Sequence, residues 1–269
     1  MSTRAQNNWP NHQRPVITRR GVLMGVLGLA ASVLATTAGQ ITSHSLATRR
    51  AYAQLGNAHV RHAGKSAGHG PDFGTLSRIN GDIAGWLSIP SVDASLPVVQ
   101  EKVSNQTSLY LTHDFWGTPS FLGCPFIDTR SSADAIHMLI YGHFDASSPQ
   151  SVFGPIHNVH DQKTFDQVRT VHLDTPRQGR RTYTPLMAMR VDASYEPIQT
   201  FDFGRPDSLE HLKPPAVQRM LQTLSRDASA RASHMEDQLR EAQSVLSLVT
   251  CASVHPNTPW RTILICTSP

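Results

Sequence analysis

The stretch LSLVTCASVHPNTPWRTILIC, residues 246–266, contains two runs of β-branched and apolar residues separated by a turn-rich segment. The first run ends at Cys251 and the second begins at Arg261. Runs of this kind, bounded by Ser, Pro and Asn, are typical of β-strands. If residues 252–260 form the connection of a hairpin, Cys251 and Arg261 lie side by side. The stretch therefore predicts two paired strands that carry a thiol and a guanidinium at one end.

Short β-type runs continue upstream of this stretch, as far back as Phe73. They include GWLSIPSV, LPVVQ, CPFIDT, HMLIYGH, TVHLDT and RTYTPLMAMRVDA, and each is bounded by turn residues. Many short strands of this type predict an all-β barrel or sandwich. The segment Ser208–Gln243 breaks the pattern, because it has a helical composition. Apolar residues recur there at helical spacing: Val217, Met220, Leu221 and Leu224. We expect a helix before the strand that carries Cys251.

Composition allows one sizeable hydrophobic core, since the chain has 269 residues of which 39% are hydrophobic. The positive charge is concentrated near the N-terminus. Residues 1–78 contain nine Lys/Arg and a single acid, Asp72, whereas the remainder contains 15 basic and 19 acidic residues. The part that folds is therefore mildly acidic, and the basic surplus lies in a tail without interleaved aromatic residues, which argues against a nucleic-acid-binding function.

A targeting segment is predicted near the N-terminus. Arg14, Arg19 and Arg20 precede an apolar run from Gly21 to Ala38, which is just long enough to cross a bilayer core. The flanking positive charge favours an orientation with the N-terminus inside. We interpret residues 18–40 as an uncleaved signal anchor; the alternative is a cleaved signal peptide. Both interpretations place the rest of the chain outside the cytoplasm.

The region that follows, residues 41–74, is rich in Ala, Gly, His and Ser. It has no sustained hydrophobic period and is predicted to be a flexible extracytoplasmic stalk with a short helix near Ala47–Leu55. Its histidines His59, His62 and His69 are interpreted as solvated linker residues, not as metal ligands. The predicted organisation is thus a cytoplasmic tail (1–17), an anchor (18–40), a stalk (41–74) and a catalytic domain (75–269).

The cysteines suggest a reactive thiol. Because three cysteines cannot all pair within one chain, at least one thiol stays unpaired in an oxidising compartment. Cys251 follows a strand and precedes a turn-rich segment, so we expect it at an exposed rim of the fold. Cys124 and Cys266 are interpreted as buried core residues.

A nucleophilic thiol needs a base and a group that stabilises the oxyanion. His143 in HMLIYGH also lies where an apolar strand opens into a polar loop, and it is the candidate base. Arg261 has a fixed positive charge and directed N–H donors, which suit an oxyanion.

These motifs together resemble the sortase family, class B. SLVTC (Ser247–Cys251) followed ten residues later by Arg261 is similar to the family's cysteine–arginine signature, and YGH (Tyr141–His143) is similar to its histidine motif. Five further stretches occur in the same order as in the family: INGDIAGWLSI, LPVVQ, LYLTHDFWG and GCPFID before the histidine, and SVFGPIHNVHDQKTFDQ after it. The resemblance covers residues 75–269.

The resemblance implies a mostly β fold: a closed β-barrel of about eight strands with a few helices, including a long helix before the strand that carries the cysteine. It implies that Cys251 is the acylating nucleophile, His143 the general acid/base and Arg261 the oxyanion and substrate-positioning group. It also implies substrate-binding residues: Tyr141, Thr250, Asn105 and Leu111. No metal or other cofactor is expected.

The implied activity is that of a cysteine transpeptidase. Such an enzyme cleaves the C-terminal sorting motif of secreted proteins through a thioacyl-enzyme and transfers them to an amine of a peptidoglycan precursor or of a pilin. The implied location is the cell membrane, single-pass, with the catalytic domain outside. The alternatives are an extracytoplasmic cysteine protease and a catalytically silent barrel. An L,D-transpeptidase is disfavoured because Ser-His-Gly does not precede Cys251, and a papain-like protease because Cys251 lies so near the chain's end.

Three positions depart from the family pattern. Ser247 replaces the first threonine of the signature, Val249 stands where serine is frequent, and Phe144 follows the histidine where a polar residue is frequent. None removes a catalytic group. Val249 and Phe144 are expected to make the substrate groove more apolar.

Overall fold

The computed structural model describes residues 50–56, 70–101, 109–144, 152–199, 214–251 and 259–269. The strands are β1 (Ile83–Ile89), β2 (Ala94–Val99), β3 (Phe126–Ile127), β4 (His137–Tyr141), β5 (Val171–Thr175), β6 (Gly179–Asp192), β7 (Ala230–Arg231), β8 (Ser244–Cys251) and β9 (Trp260–Ser268). The helices are α1 (50–56), α2 (Phe73–Ile79), α3 (Gln162–Phe165), α4 (Pro214–Ser225) and α5 (Met235–Glu241). Short 3-10 helices cover Pro90–Val92, Leu109–Leu111, Gly154–Ile156 and Pro197–Gln199.

Within the described residues, eight strands close into a barrel. Their order is β5-β1-β2-β3-β4-β8-β9-β6, and a further pairing between β6 and β5 closes the ring. The long strand β6 closes it because its first part pairs with β5 and its second part with β9. A register shift between Pro185 and Met187 lies within the part that pairs with β9, as expected next to a residue without an N–H donor. The closed barrel predicted for this chain is confirmed.

The apolar residues of the strands divide into two cores. In β8, Leu246 and Leu248 belong to the core inside the barrel, whereas Val245 and Val249 belong to a second core on its outer face. The alternation follows from the two-residue period of a strand. The outer core is covered by α4, whose four predicted core residues are all fully buried: Val217, Met220, Leu221 and Leu224.

The helical segment before β8 forms two helices instead of one long helix. Among its described residues, α4 ends at Ser225 and α5 begins at Met235. Between them the backbone pairs with β6: Ser229 N donates to Ala188 O at 3.0 Å and Ala232 N to Leu186 O at 2.9 Å. These bonds satisfy the backbone groups that a continuous helix would otherwise have paired internally.

Helix α1 packs against the barrel, although its residues fall within the predicted stalk. Tyr52 is 3% exposed and Leu55 is 6% exposed. The Tyr52 ring stacks on Trp116 with ring centroids 5.5 Å apart. Residues 50–56 thus pack on the folded domain, although they precede the predicted domain boundary at residue 75.

The helices of the described ranges are all too short or too polar to cross a bilayer. The predicted anchor at 18–40 lies outside the described residues, as do His59, His62 and His69 of the predicted stalk.

Candidate active site

Cys251 and Arg261 lie directly opposite each other at one end of the barrel. Cys251 is the last residue of β8 and pairs with Arg261 near the start of β9. Val249, two residues before Cys251, pairs with Ile263, two residues after Arg261, and both lie in the outer core. By the strand period, positions 251 and 261 therefore share the outer face of the sheet.

His143 reaches the same end from the neighbouring strand. Strands β4 and β8 are parallel, with Tyr141 opposite Val249. Gly142 N continues the ladder by donating to Val249 O at 3.0 Å. Continuing this register by two residues from Tyr141 places His143 level with Cys251, and neighbouring strands lie about 4.8 Å apart. The fold thus brings the three predicted catalytic positions to the same end of adjacent strands, with His143 two residues beyond the end of β4, although His143 and Cys251 are 108 residues apart in sequence.

The His143 ring is held by a hydrogen bond to the backbone. Its Nε2 donates to the carbonyl oxygen of Leu111 at 2.7 Å. A carbonyl oxygen can only accept, so Nε2 carries a proton and Nδ1 is the nitrogen that exchanges one. Leu111, predicted from the sequence as a groove residue, thus contacts the site through its backbone. The other such residue, Asn105, lies outside the described residues.

Arg261 is half-buried and lies near the backbone of Trp260 and the carboxyl of Asp192. Its Nη1 donates to Trp260 O at 2.7 Å. Hydrogen bonds from Ser194 lower the pKa of the exposed Asp192 carboxyl, and the nearby Arg261 charge lowers it further. The Arg261 side chain thus lies near the Asp192 carboxylate at the end of β9 that pairs with Cys251.

Tyr141 and Thr250 lie on opposite faces of the sheet. Tyr141 packs on the outer core and stacks on Phe126 with ring centroids 5.5 Å apart. Burial, followed by the charge of Asp128, raises the pKa of the Tyr141 phenol, so the group is neutral. Thr250 is 3% exposed and faces the barrel interior, where its hydroxyl has no hydrogen-bond partner among the described residues. Of the two, Tyr141 shares the face of Cys251.

The two residues expected to make the groove apolar are themselves buried. Val249 is 6% exposed within the outer core, and Phe144 is 9% exposed and stacks on His157 with ring centroids 4.0 Å apart. They therefore contribute little surface to a groove, which corrects the expectation drawn from the sequence.

The other two cysteines are core residues, as the sequence indicates. Cys124 is 2% exposed and Cys266 is fully buried. Burial raises the pKa of both thiols, so neither forms a thiolate near neutral pH.

A buried polar pair lies between β4 and β8 and was not predicted from the sequence. His137 at the start of β4 and Ser247 in β8 are both fully buried, with His137 Nε2 and Ser247 Oγ 3.0 Å apart. Burial lowers the pKa of His137 to about 3. Only the pairing of β4 with β8 brings these residues together, so no local sequence signal identifies them.

In the part of the chain that the structure describes, no three His, Cys, Asp or Glu residues are grouped like metal ligands.

The fold is similar to those of solved sortase B structures. The sortase B structure of B. anthracis superposes with a TM-score of 0.62 at 17% identity, covering 84% of this chain and 98% of that one. Sortase B of Clostridium perfringens gives 0.58 at 19% identity, covering 73% of this chain and 98% of that one. The chain has the fold of a class B sortase.

The sequence comparison agrees with this sortase fold. Sortase B of Staphylococcus aureus (strain NCTC 8325 / PS 47) is 20% identical over 197 residues, which cover 72% of this chain and 73% of the relative. No protein-family model matches the chain. The class B resemblance inferred from the short motifs is confirmed at the level of the fold.

Proposed function

We propose that this chain is a cysteine transpeptidase of the sortase type. The observation that supports the proposal most directly is the strand register at the end of β4, β8 and β9. Cys251 pairs with Arg261 across β8 and β9, and His143 follows the end of β4, the strand parallel to β8. A base, a thiol and a cation in this arrangement meet the needs of acyl transfer.

The first step forms a thioacyl-enzyme. Nδ1 of His143 takes the thiol proton, and the Cys251 sulfur attacks the carbonyl carbon of the scissile peptide bond. Arg261 stabilises the negative charge that develops on the carbonyl oxygen. His143 then returns the proton to the departing amine as the C–N bond breaks. The N-terminal part of the substrate remains attached to sulfur through a thioester.

The second step transfers the acyl group to an incoming amine. The amine attacks the thioester, its proton passes to His143, and the Cys251 sulfur leaves and is reprotonated. Structural neighbours include a Staphylococcus aureus sortase B–substrate complex and a sortase B complexed with triglycine. By analogy, we propose a peptide sorting motif as donor and a small amine as acceptor.

The proposed substrates are secreted proteins with a C-terminal sorting motif. The acceptor amine belongs to a peptidoglycan precursor or to a pilin. One neighbour is a Streptococcus pyogenes class B sortase involved in pilus biogenesis. A membrane anchor at residues 18–40 would hold the enzyme at the outer face of the membrane beside both substrates and raise their effective concentration.

The experiment that tests this function uses the full chain in detergent. The chain is incubated with a panel of fluorogenic sorting peptides, with and without triglycine, beside Cys251→Ala. Cys266→Ala is the matched control, because it removes a buried thiol far from the proposed chemistry. We expect cleavage that requires Cys251 and a product that contains triglycine.

Other outcomes would change the conclusion. Cys251-dependent cleavage without transfer would identify a protease. Absence of both turnover and a thioacyl adduct by intact mass across the panel would overturn the transpeptidase assignment in favour of a silent barrel.

A further inference from the structure

The loop that holds His143, residues 109–124, has its own attachment to the N-terminal helix. Leu111 in this loop accepts the His143 hydrogen bond at 2.7 Å. Cys124 N at the loop's far end donates to Tyr110 O at 2.9 Å, which brings the two ends of the loop together. A shift of either end would therefore move the carbonyl that orients the histidine.

Gly123 is the point of closest packing between this loop and the histidine. It has a φ of 59°, in the left-handed region that favours glycine. A Cβ at this position would collide with Tyr110 O and come within 3.1 Å of His143 Cδ2 and 3.2 Å of Leu111 O. The backbone of Gly123 therefore packs directly against the His143 ring and its hydrogen-bond acceptor.

Tyr52 of α1 bonds to this backbone from the other side. Its hydroxyl donates to Gly123 O at 3.0 Å and accepts from Phe115 N at 3.2 Å. Both bonds are buried and link residues more than 60 positions apart in sequence. Burial raises the pKa of the Tyr52 phenol, so the hydroxyl keeps the proton that it donates.

We propose that Tyr52 is a positioning residue for His143. Its hydroxyl holds the backbone of Gly123 and Phe115 and so holds the loop of residues 109–124 in place. Leu111 O in this loop then accepts the Nε2–H bond and keeps the histidine in that tautomer. The expected effect on catalysis rests on the proposed function. Helix α1 thus helps to orient His143, although it contributes no residue to the strands that carry Cys251 and Arg261.

A specific defect follows from removing the hydroxyl. Without it, the loop has one less constraint, and the carbonyl of Leu111 no longer stays on the line of the Nε2–H bond. The histidine ring then samples the other tautomer, in which Nδ1 carries the proton and cannot take one from Cys251. Because the substrate contacts are unchanged, the loss falls on kcat and not on KM.

The test compares Tyr52→Phe with Tyr183→Phe in the full chain. Tyr52→Phe keeps the ring that stacks on Trp116 and removes only the hydroxyl. Tyr183→Phe is the matched control, because Tyr183 is also fully buried but lies in β6 opposite Val171, away from His143. For each protein we would measure kcat and KM for the best peptide and the His143 tautomer by 15N NMR, assigned with His143→Gln.

We expect Tyr52→Phe to lower kcat at least tenfold with KM within twofold of the parent, and to give His143 signals of mixed tautomers. Tyr183→Phe should leave both readouts unchanged. The proposal is overturned if Tyr52→Phe keeps the Nε2–H tautomer, or if Tyr183→Phe produces the same loss. If the parent chain turns over no peptide, the proposed function fails, and the NMR comparison alone decides whether Tyr52 positions the histidine.

Discussion

Arg261 lies opposite Cys251 in the register of β8 and β9, where its fixed charge can act on a developing oxyanion. We expect Arg261→Met to lower kcat/KM by roughly 100-fold, the usual effect of removing one oxyanion donor. Arg261→Lys keeps the charge but loses the directed pair of donors, so it should recover only part of the activity. Peptide cleavage kinetics provide the measurement.

Arg78→Met is the matched control for this prediction. Arg78 is exposed in α2, where it donates to Thr75. Equal activity of Arg261→Met and Arg78→Met would show that the cation opposite Cys251 has no catalytic part.

His137 provides a prediction about pH and stability. Its pKa is about 3 in the folded protein, because burial opposes the charged form, and about 6.5 in the unfolded chain. Between these values the unfolded state binds one more proton than the folded state, so unfolding becomes easier as the pH falls. The free energy of unfolding should drop by up to about 1.4 kcal/mol per pH unit from this residue. Above pH 6.5 its contribution is constant.

The measurement is urea unfolding from pH 7 to pH 4. His137→Asn keeps a polar partner for Ser247 but does not titrate, so its stability should depend less steeply on pH than that of the parent. His234→Asn, at an exposed position, should keep the parent's slope. Identical slopes for all three proteins would contradict the assignment of a neutral buried histidine.

At the residue scale, the sequence predicts contacts between residues that are close together in the chain. Ten residues between Cys251 and Arg261 are enough to form a hairpin, so their pairing could be inferred from the sequence alone. The His137–Ser247 pair and the bond from His143 to Leu111 could not, because they depend on which distant strands become neighbours.

Helix α4 shows how far periodicity alone determines an element. Its apolar face packs on the outer core beneath it, so truncation of a central residue leaves a cavity. We expect Leu221→Ala to lower the free energy of unfolding by about 2–5 kcal/mol. Urea unfolding would measure the change, with Gln222→Ala on the exposed face as the matched control. A loss of less than about 1 kcal/mol at position 221 would mean that α4 does not cover the barrel.

The end of this helix was harder to predict. The sequence from Arg226 to His234 has no Pro or Gly that would stop a helix. The helix ends because β6 offers hydrogen bonds to the backbone of Ser229 and Ala232, and these tertiary contacts override local propensity.

For the whole molecule, the packing of α1 makes residues 50–56 part of the fold. Tyr52 and Leu55 each bury an apolar side chain, and such burial contributes about 1.5–3 kcal/mol per residue. A chain that begins at residue 70 should therefore be several kcal/mol less stable than one that begins at residue 41. Chemical denaturation of the two chains measures this difference, and equal midpoints would favour the prediction that residues 41–74 are a stalk.

The barrel itself was predictable, because its strands have a clear period and turn residues at their ends. The packing of α1 was not, since a seven-residue helix in a sequence rich in Ala, Gly and His has too few apolar residues to signal a buried face.

The position of β9 in the strand order bears on how the protein is made. Without residues 260–268 the sheet stays open between β8 and β6, and the arginine that pairs with the cysteine is missing. An incomplete nascent chain consequently cannot assemble the thiol site, however long synthesis pauses. The proposed acyl-transfer chemistry becomes available only once β9 has been synthesised, and products truncated before β9 expose unpaired strand edges that can pair with other chains.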